Sequence, residues 1–256
     1  TKDNGESWQN ITPKNLGESL VNAIEVSPHD KATVYVATTK YKFNDHTPAI
    51  YKSTDYGKTW TSINSGIPNG AFTRVVREDP TRKDLLYAGT EKGLYLSWNG
   101  GKSWKPFQLN LPKTPITDIK IHQGDLIVAT SGRAFWILDD LTMLSQYEKG
   151  TDDSKSHDSR SYQTKLYQPN DAMNGSWYSP MSGNTDNFVG TNTLAGVNPA
   201  NGMVIYYELP KLNDSTAISM DILDASGKVV RSFSSEKDKN YKPHNGGGPR
   251  PAPTLS

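Results

Sequence analysis

Apolar and polar residues alternate along this chain in short runs, and each run ends in a cluster of Gly, Pro, Asn, Asp or Ser. The runs VYVATT (34–39), LLYAGT (85–90) and LIVATS (126–131) are rich in β-branched and aromatic residues, which suit a pleated, half-buried surface. A run ending near Ser27-Pro28 or Asp79-Pro80 precedes the first two, and AIYKST (49–54), GLYLSW (93–98) and AFWILDD (134–140) follow the three in turn. This pattern predicts strands joined by tight turns. A helical period is expected only as one turn at LTMLSQYEK (141–149).

The strands recur as a unit. TKDNGESW (1–8), STDYGKTW (53–60) and SWNGGKSW (97–104) share the template S/T-x-D/N-x-G-x-S/T-W. A shift of 52 positions places Trp8 on Trp60, Pro28 on Pro80 and Tyr35 on Tyr87; the next interval, Asp55 to Asn99, is 44. The difference matches an insertion, YKFNDHTP (41–48), between two strands of the earlier unit. In the third unit Thr130 falls on Thr90, Phe135 on Tyr95 and Asp139 on the acceptor position of Asn99, but no Gly or Trp follows. Loss of the motif suits a terminal repeat. Each unit reads as four strands, the fourth starting at the octapeptide Trp, and four-stranded units of about 40–50 residues signal β-propeller blades. The expected fold is all-β: about three blades of a partial propeller over 1–149, then a second, smaller β domain.

The octapeptide is explained by folding. Asp3, Asp55 and Asn99 offer oxygens to backbone N–H groups in the manner of an Asx-turn. Gly5, Gly57 and Gly101 allow positive φ. Trp8, Trp60 and Trp104 supply rings to bury against neighbouring strands. GKT and GKS do not form a phosphate loop, because the Gly required five positions earlier is Lys52 or Leu96 and no helix follows.

Composition narrows the function. A net charge of +1 leaves no electrostatic footprint for nucleic acid, and no apolar run spans a bilayer. With no cysteine there is no disulfide framework or thiolate chemistry. The five His (29, 46, 122, 157 and 244) show no ligand spacing, so neither metal nor cofactor is expected. The first residues enter partway through the repeat, which reads as a fragment whose remaining blades, and any targeting signal, lie upstream.

The octapeptides closely resemble the Asp-box, or BNR, repeat of sialidases, xyloglucanase-type glycoside hydrolases and sortilin-type receptors. GRAFWILDDLTMLSQ (132–146), then LYQP and GVNPANGMVIYYEL, resembles the sortilin N-terminal or glycosyl-hydrolase-like subgroup of large bacterial proteins. That resemblance covers roughly residues 1–235. It implies an extracellular or periplasmic setting and either carbohydrate-active, hydrolase-like chemistry or non-catalytic capture of peptides or proteins; a cell-surface scaffold is a third reading.

Past Lys149, residues 150–200 read as a polar linker and loop-rich connection. MVIYYELP (203–210) and AISMDILDASGKVVRSFS (217–234) restore strands, so 201–256 is expected to begin an Ig- or fibronectin-like sandwich and end in a mobile tail. Glycoside hydrolysis needs two carboxylates across a cleft. Asp139 and Asp140, with Arg133 nearby, are the catalytic candidates, although adjacent strand residues point to opposite faces. The binding candidates, for a glycan or a peptide, are Tyr41, Phe43 and His46 in the insertion, and Trp136.

Overall fold

The computed structural model describes residues 1, 3–14, 16–147, 164–172, 203–210 and 216–236. The linker over 151–163, the stretch 173–202 and the tail from 237 lie outside them. Three antiparallel sheets follow one another in chain order. The first runs β1 (Leu20–Val26), β2 (Val34–Lys40), β3 (Asp45–Ser53) and β4 (Thr61–Ser62). The second repeats that order with β5 (Thr73–Glu78), β6 (Leu86–Thr90), β7 (Gly93–Ser97) and β8 (Lys105–Pro106). The third has β9 (Ile116–His122), β10 (Asp125–Thr130) and β11 (Phe135–Leu138), with no fourth strand among the described residues. A five-residue helix, α1 (Thr142–Gln146), follows; β12 (Lys165–Leu166) and β13 (Tyr207–Glu208) are two residues each.

These sheets stack face to face as blades, because each carries apolar side chains that only a neighbouring sheet can cover. Alternation along the middle blade sends Leu86 and Ala88 to a core shared with Tyr35, Ala37 and Ile50 of the first. Leu85 and Tyr87 point the other way, to a core shared with Ile116, Leu126 and Val128 of the third. β6 and β7 are therefore buried along their whole length. The outer faces of the flanking blades are open, with Ile24 64% exposed on β1 and Phe135 76% exposed on β11. All-β blades of a partial propeller are thus observed.

A β-bulge recurs at the start of the first strand of each sheet, between Val21 and Ala23, between Thr73 and Val75, and opposite Ala129 and Thr130. Near the other end of these strands, Arg77 links all three blades. Its Nε donates to the Ile119 carbonyl at 3.0 Å, Nη2 to Asp118 Oδ1 at 2.8 Å, and Nη1 lies 3.6 Å from Glu25 Oε2.

The octapeptide turns join adjacent blades as well as adjacent strands. Asp55 Oδ1 accepts the Thr59 N–H (2.9 Å) and the Ser53 hydroxyl (2.8 Å); Asn99 repeats both contacts with Ser103 and Ser97. Gly57 (φ +79°) and Gly101 (φ +89°) adopt the left-handed conformation expected of them. Each also abuts the preceding repeat: an added Cβ would lie 2.6 Å from Ile11 Cδ1 or 2.4 Å from Ile63 Cδ1. The Trp indoles follow suit, Trp60 Nε1 donating to Ile11 O (2.8 Å) and Trp104 Nε1 to Ile63 O (2.6 Å). Burial of all three rings does not hold. Trp104 is 2% exposed and Trp60 half-buried, whereas Trp8 is 79% exposed and donates to its own Gly5 carbonyl. The ring needs the tail of a preceding repeat beneath it.

The third unit corrects the expected alignment by one residue. Trp136 faces Val128 as Tyr95 faces Ala88, and Leu138 faces Leu126 as Ser97 faces Leu86. The β10–β11 turn is one residue longer, so Asp140, not Asp139, holds the octapeptide acceptor position. A backbone bond shared by all three units agrees. Leu141 N–H donates to Gly124 O (2.7 Å), as Tyr56 does to Ala32 and Gly100 to Asp84 (3.0 and 2.9 Å). Where the Gly is absent the chain turns into α1, which places Leu141 and Leu144 in the second interblade core. Arg82 Nη1 donates to the carbonyls of Leu144, Ser145 and Tyr147, capping the helix C-terminus.

The chain divides into two compact units. One holds the three blades, α1 and the described part of Leu166–Tyr206; the other holds the hairpin of β14 (Ser219–Leu223) and β15 (Val229–Ser234), closed by the expected turn at Asp224–Gly227. Of the expected sandwich, the described residues contain this hairpin.

Candidate functional site

The insertion is built more tightly than a loop. Tyr41–Phe43 form a 3-10 turn, Asn44 takes a left-handed φ of +58° and donates to Tyr41 O, and Asp45 already pairs with Lys40 at the start of β3. The turn sets the Tyr41 ring parallel to Phe72, with centroids 5.4 Å apart and planes 13° apart. His46 lies against the same ring at 5.7 Å. Phe72 is 5% exposed and serves as a floor; Tyr41 is 40% and Phe43 53% exposed above it.

Three connections meet at this end of the blades. Gly70 N–H donates to His46 O (3.1 Å), tying the β4–β5 segment to the insertion. Glu91 N–H donates to Phe72 O (3.0 Å), tying in the β6–β7 turn. Arg74, the residue of the β5 bulge, stands with its guanidinium carbon 5.2 Å from the Phe72 centroid and forks onto Glu91 through Nε (2.8 Å) and Nη2 (2.6 Å). Bulges commonly re-aim a side chain in this way. The result is an aromatic surface on a buried floor, flanked by a fixed guanidinium–carboxylate pair.

Of the binding candidates, Tyr41 and His46 are brought together over Phe72, with Phe43 exposed in the same turn. Trp136 lies in the third blade, partly packed in the interblade core, its Nε1 donating to Arg133 O (2.8 Å). The catalytic candidates are not gathered. Arg133 and Asp139 flank opposite ends of β11, which at four residues is about 13 Å long. Asp140 Oδ1 accepts the Thr142 N–H (3.0 Å) and the Asn170 amide (2.8 Å), positions that order the start of α1. Burial, and then the charge of Asp125, push the Asp139 carboxyl above the usual range. Asp125 itself accepts the Asp140 N–H at 2.9 Å. Both aspartates follow β11 at the end of the blades that carries the octapeptide turns, opposite the insertion.

Sequence reasoning missed Phe72, Arg74, Glu91 and Asp125. Each acts through a partner distant in the chain, and none belongs to a motif. The displaced bulge residue, which recurs as Asn22 and Arg74 at the 52-residue spacing, was the one usable signal. Among the described residues no group of three or more His, Asp or Glu is placed to hold a metal ion, and no helix is long and apolar enough to cross a membrane.

No protein-family model matches the chain, and no curated protein matches it. Several solved structures do. A GH74 enzyme of Niastella koreensis aligns over 47% of this chain and 21% of its own at 22% identity and a TM-score of 0.38. The GH74 xyloglucanase of Xanthomonas campestris aligns over 47% and 22% at 17% identity and a TM-score of 0.34. YCF48 bound to D1 peptide aligns over 48% and 38% at 13% identity and a TM-score of 0.36. The matched region spans about a fifth to two fifths of those chains. The propeller reading here rests on the strand pairing of the blades themselves.

Proposed function

We propose that these blades belong to an Asp-box propeller of a secreted, carbohydrate-active protein and form part of its glycan-contacting face. The observation that carries this reading is the Tyr41 ring, stacked on buried Phe72 and open to solvent beside Phe43. A flat apolar ring already fixed by a floor receives the C–H face of a sugar with little further loss of side-chain freedom. Arg74, Glu91 and His46 supply the polar groups that orient a ligand on such a surface. The outward faces at Ile24 and Phe135 are where further blades pack in this reading. Hydrolysis by the whole protein would need a second carboxylate facing Asp139 or Asp140 across a cleft.

The chain should retain one or more polysaccharides from a panel of neutral and acidic glycans, and the Tyr41→Ala, Phe43→Ala double variant should lose that retention. Retention of unstructured peptides with no glycan bound would overturn the reading.

A second reading has its own observation. The outer edge of β11 is unpaired among the described residues, and Phe135 and Ile137 are 76% and 60% exposed on it. An extended peptide added as a fourth strand suits that edge. Protection of β11 amides from exchange on adding peptide would favour it.

A further inference from the structure

The end of the blades opposite the insertion carries a separate cleft of about 620 Å³ between the first and second blades. Its walls hold Lys52, Arg82, Lys83 and Lys102 against one carboxylate, Asp84. Four cations less one anion leave a surplus of three positive charges, in a chain whose total is +1. Lys52 is committed to Asp84 at 3.2 Å and lies over the Tyr35 ring. Arg82 is held by three carbonyl oxygens, and among the described residues its guanidinium bonds no carboxylate. Lys83 and Lys102 are exposed. The Ala32 N–H and the Thr33 hydroxyl, and to a smaller extent the nearby Lys83 and Lys52, hold the Asp30 carboxyl below the usual range, and its oxygens are taken by those two hydrogen bonds.

A concave, one-signed surface concentrates counter-ions. The volume falls within the range of pockets for small organic ligands and far exceeds one oxyanion. Thr54 and Thr61 add exposed hydroxyls to one wall, and the half-buried Trp98 indole adds an apolar surface to the other. Lysines act as point charges on oxyanion groups, while hydroxyls and an indole suit a sugar ring. We propose that this cleft binds an anionic saccharide, with Lys83 and Lys102 on its sulfate or carboxylate groups and Trp98 against its ring. The site is independent of the Tyr41 surface.

The test is calorimetric titration of the chain with four probes: a sulfated disaccharide, a uronate disaccharide, an unsubstituted disaccharide and inorganic sulfate. One or both anionic sugars should bind at least about tenfold more tightly than the neutral sugar and inorganic sulfate. Lys83→Ala with Lys102→Ala should weaken that binding about tenfold or more without changing the melting temperature. Lys120→Ala on β9 with Lys228→Ala in the β14–β15 turn, both exposed and outside either surface, should leave it unchanged. Inorganic sulfate binding as tightly as the sugars, the absence of binding by either anionic sugar, or undiminished affinity in the Lys83, Lys102 double variant would each overturn the proposal.

Discussion

The indole Nε1 of Trp104 donates to the carbonyl oxygen of Ile63 across 2.6 Å, fastening the second blade to the tail of the first. The ring is 2% exposed, Trp60 makes the same contact to Ile11 half-buried, and Trp8 is 79% exposed. Replacement by Ala should therefore be graded. Trp104→Ala should cost about 3–5 kcal/mol, Trp60→Ala less, and Trp8→Ala within about 0.5 kcal/mol of zero, read from denaturant midpoints. Equal costs at all three positions would contradict the interblade role.

Gly101→Ala should be harmful for two reasons, its φ of +89° and the 2.4 Å approach of the new Cβ to Ile63 Cδ1. The expected loss is about 1–3 kcal/mol. Ile63→Ala removes the nearest atoms, Cδ1 and Cγ1, but leaves its Cβ 2.9 Å from the added methyl and does not touch the backbone strain. A double-mutant cycle should therefore show part of the Gly101→Ala cost vanishing in the Ile63→Ala background, and strict additivity would argue against the contact.

Arg77 compensates Glu25. Burial raises the Glu25 carboxyl, and Arg77 is the largest influence pulling it back. A carboxyl whose folded pKa lies above its unfolded value favours the fold most below the unfolded value, and that contribution is lost as pH rises through the folded one. Arg77→Met should raise the Glu25 pKa further and steepen the fall in stability above pH ~4. It should also cost about 1–3 kcal/mol at neutral pH through its lost bonds. A variant with the pH profile of the parent would remove Glu25 from this account.

Asp55 behaves in the opposite sense. The Thr59 hydroxyl and then the Thr59 N–H hold its carboxyl down at about 2. A lowered carboxyl contributes to stability above its unfolded value near ~3.9, and the contribution disappears as pH falls from there through about 2. The carboxyl carbon shift of Asp55 should follow that midpoint, and Thr59→Val should move it upward. An ordinary midpoint in the parent would show that the turn is not closed in solution.

The blades were legible in the sequence because each turn is local: Ser53, Asp55, Gly57 and Thr59 lie within seven residues and satisfy one another. The register of the third unit was not, since one added residue between Thr130 and Phe135 shows only once Val128 and Trp136 are paired. The interblade half of the octapeptide was hidden for the same reason, because Ile11 and Ile63 belong to no motif. The insertion stood out as the length difference between the first two repeats. Its floor, Phe72, lies 31 positions beyond Tyr41, and nothing in its neighbourhood announces the contact.

The most direct measurement is saturation-transfer NMR from the Tyr41 ring to a glycan that the chain retains. The ring lies parallel to Phe72, 5.4 Å away, with 40% of the residue exposed. Selective saturation of Tyr41 should pass to the sugar C–H protons and be lost in Tyr41→Ala. Transfer arising elsewhere on the chain, with none from Tyr41, would contradict the assignment of this surface to glycan contact.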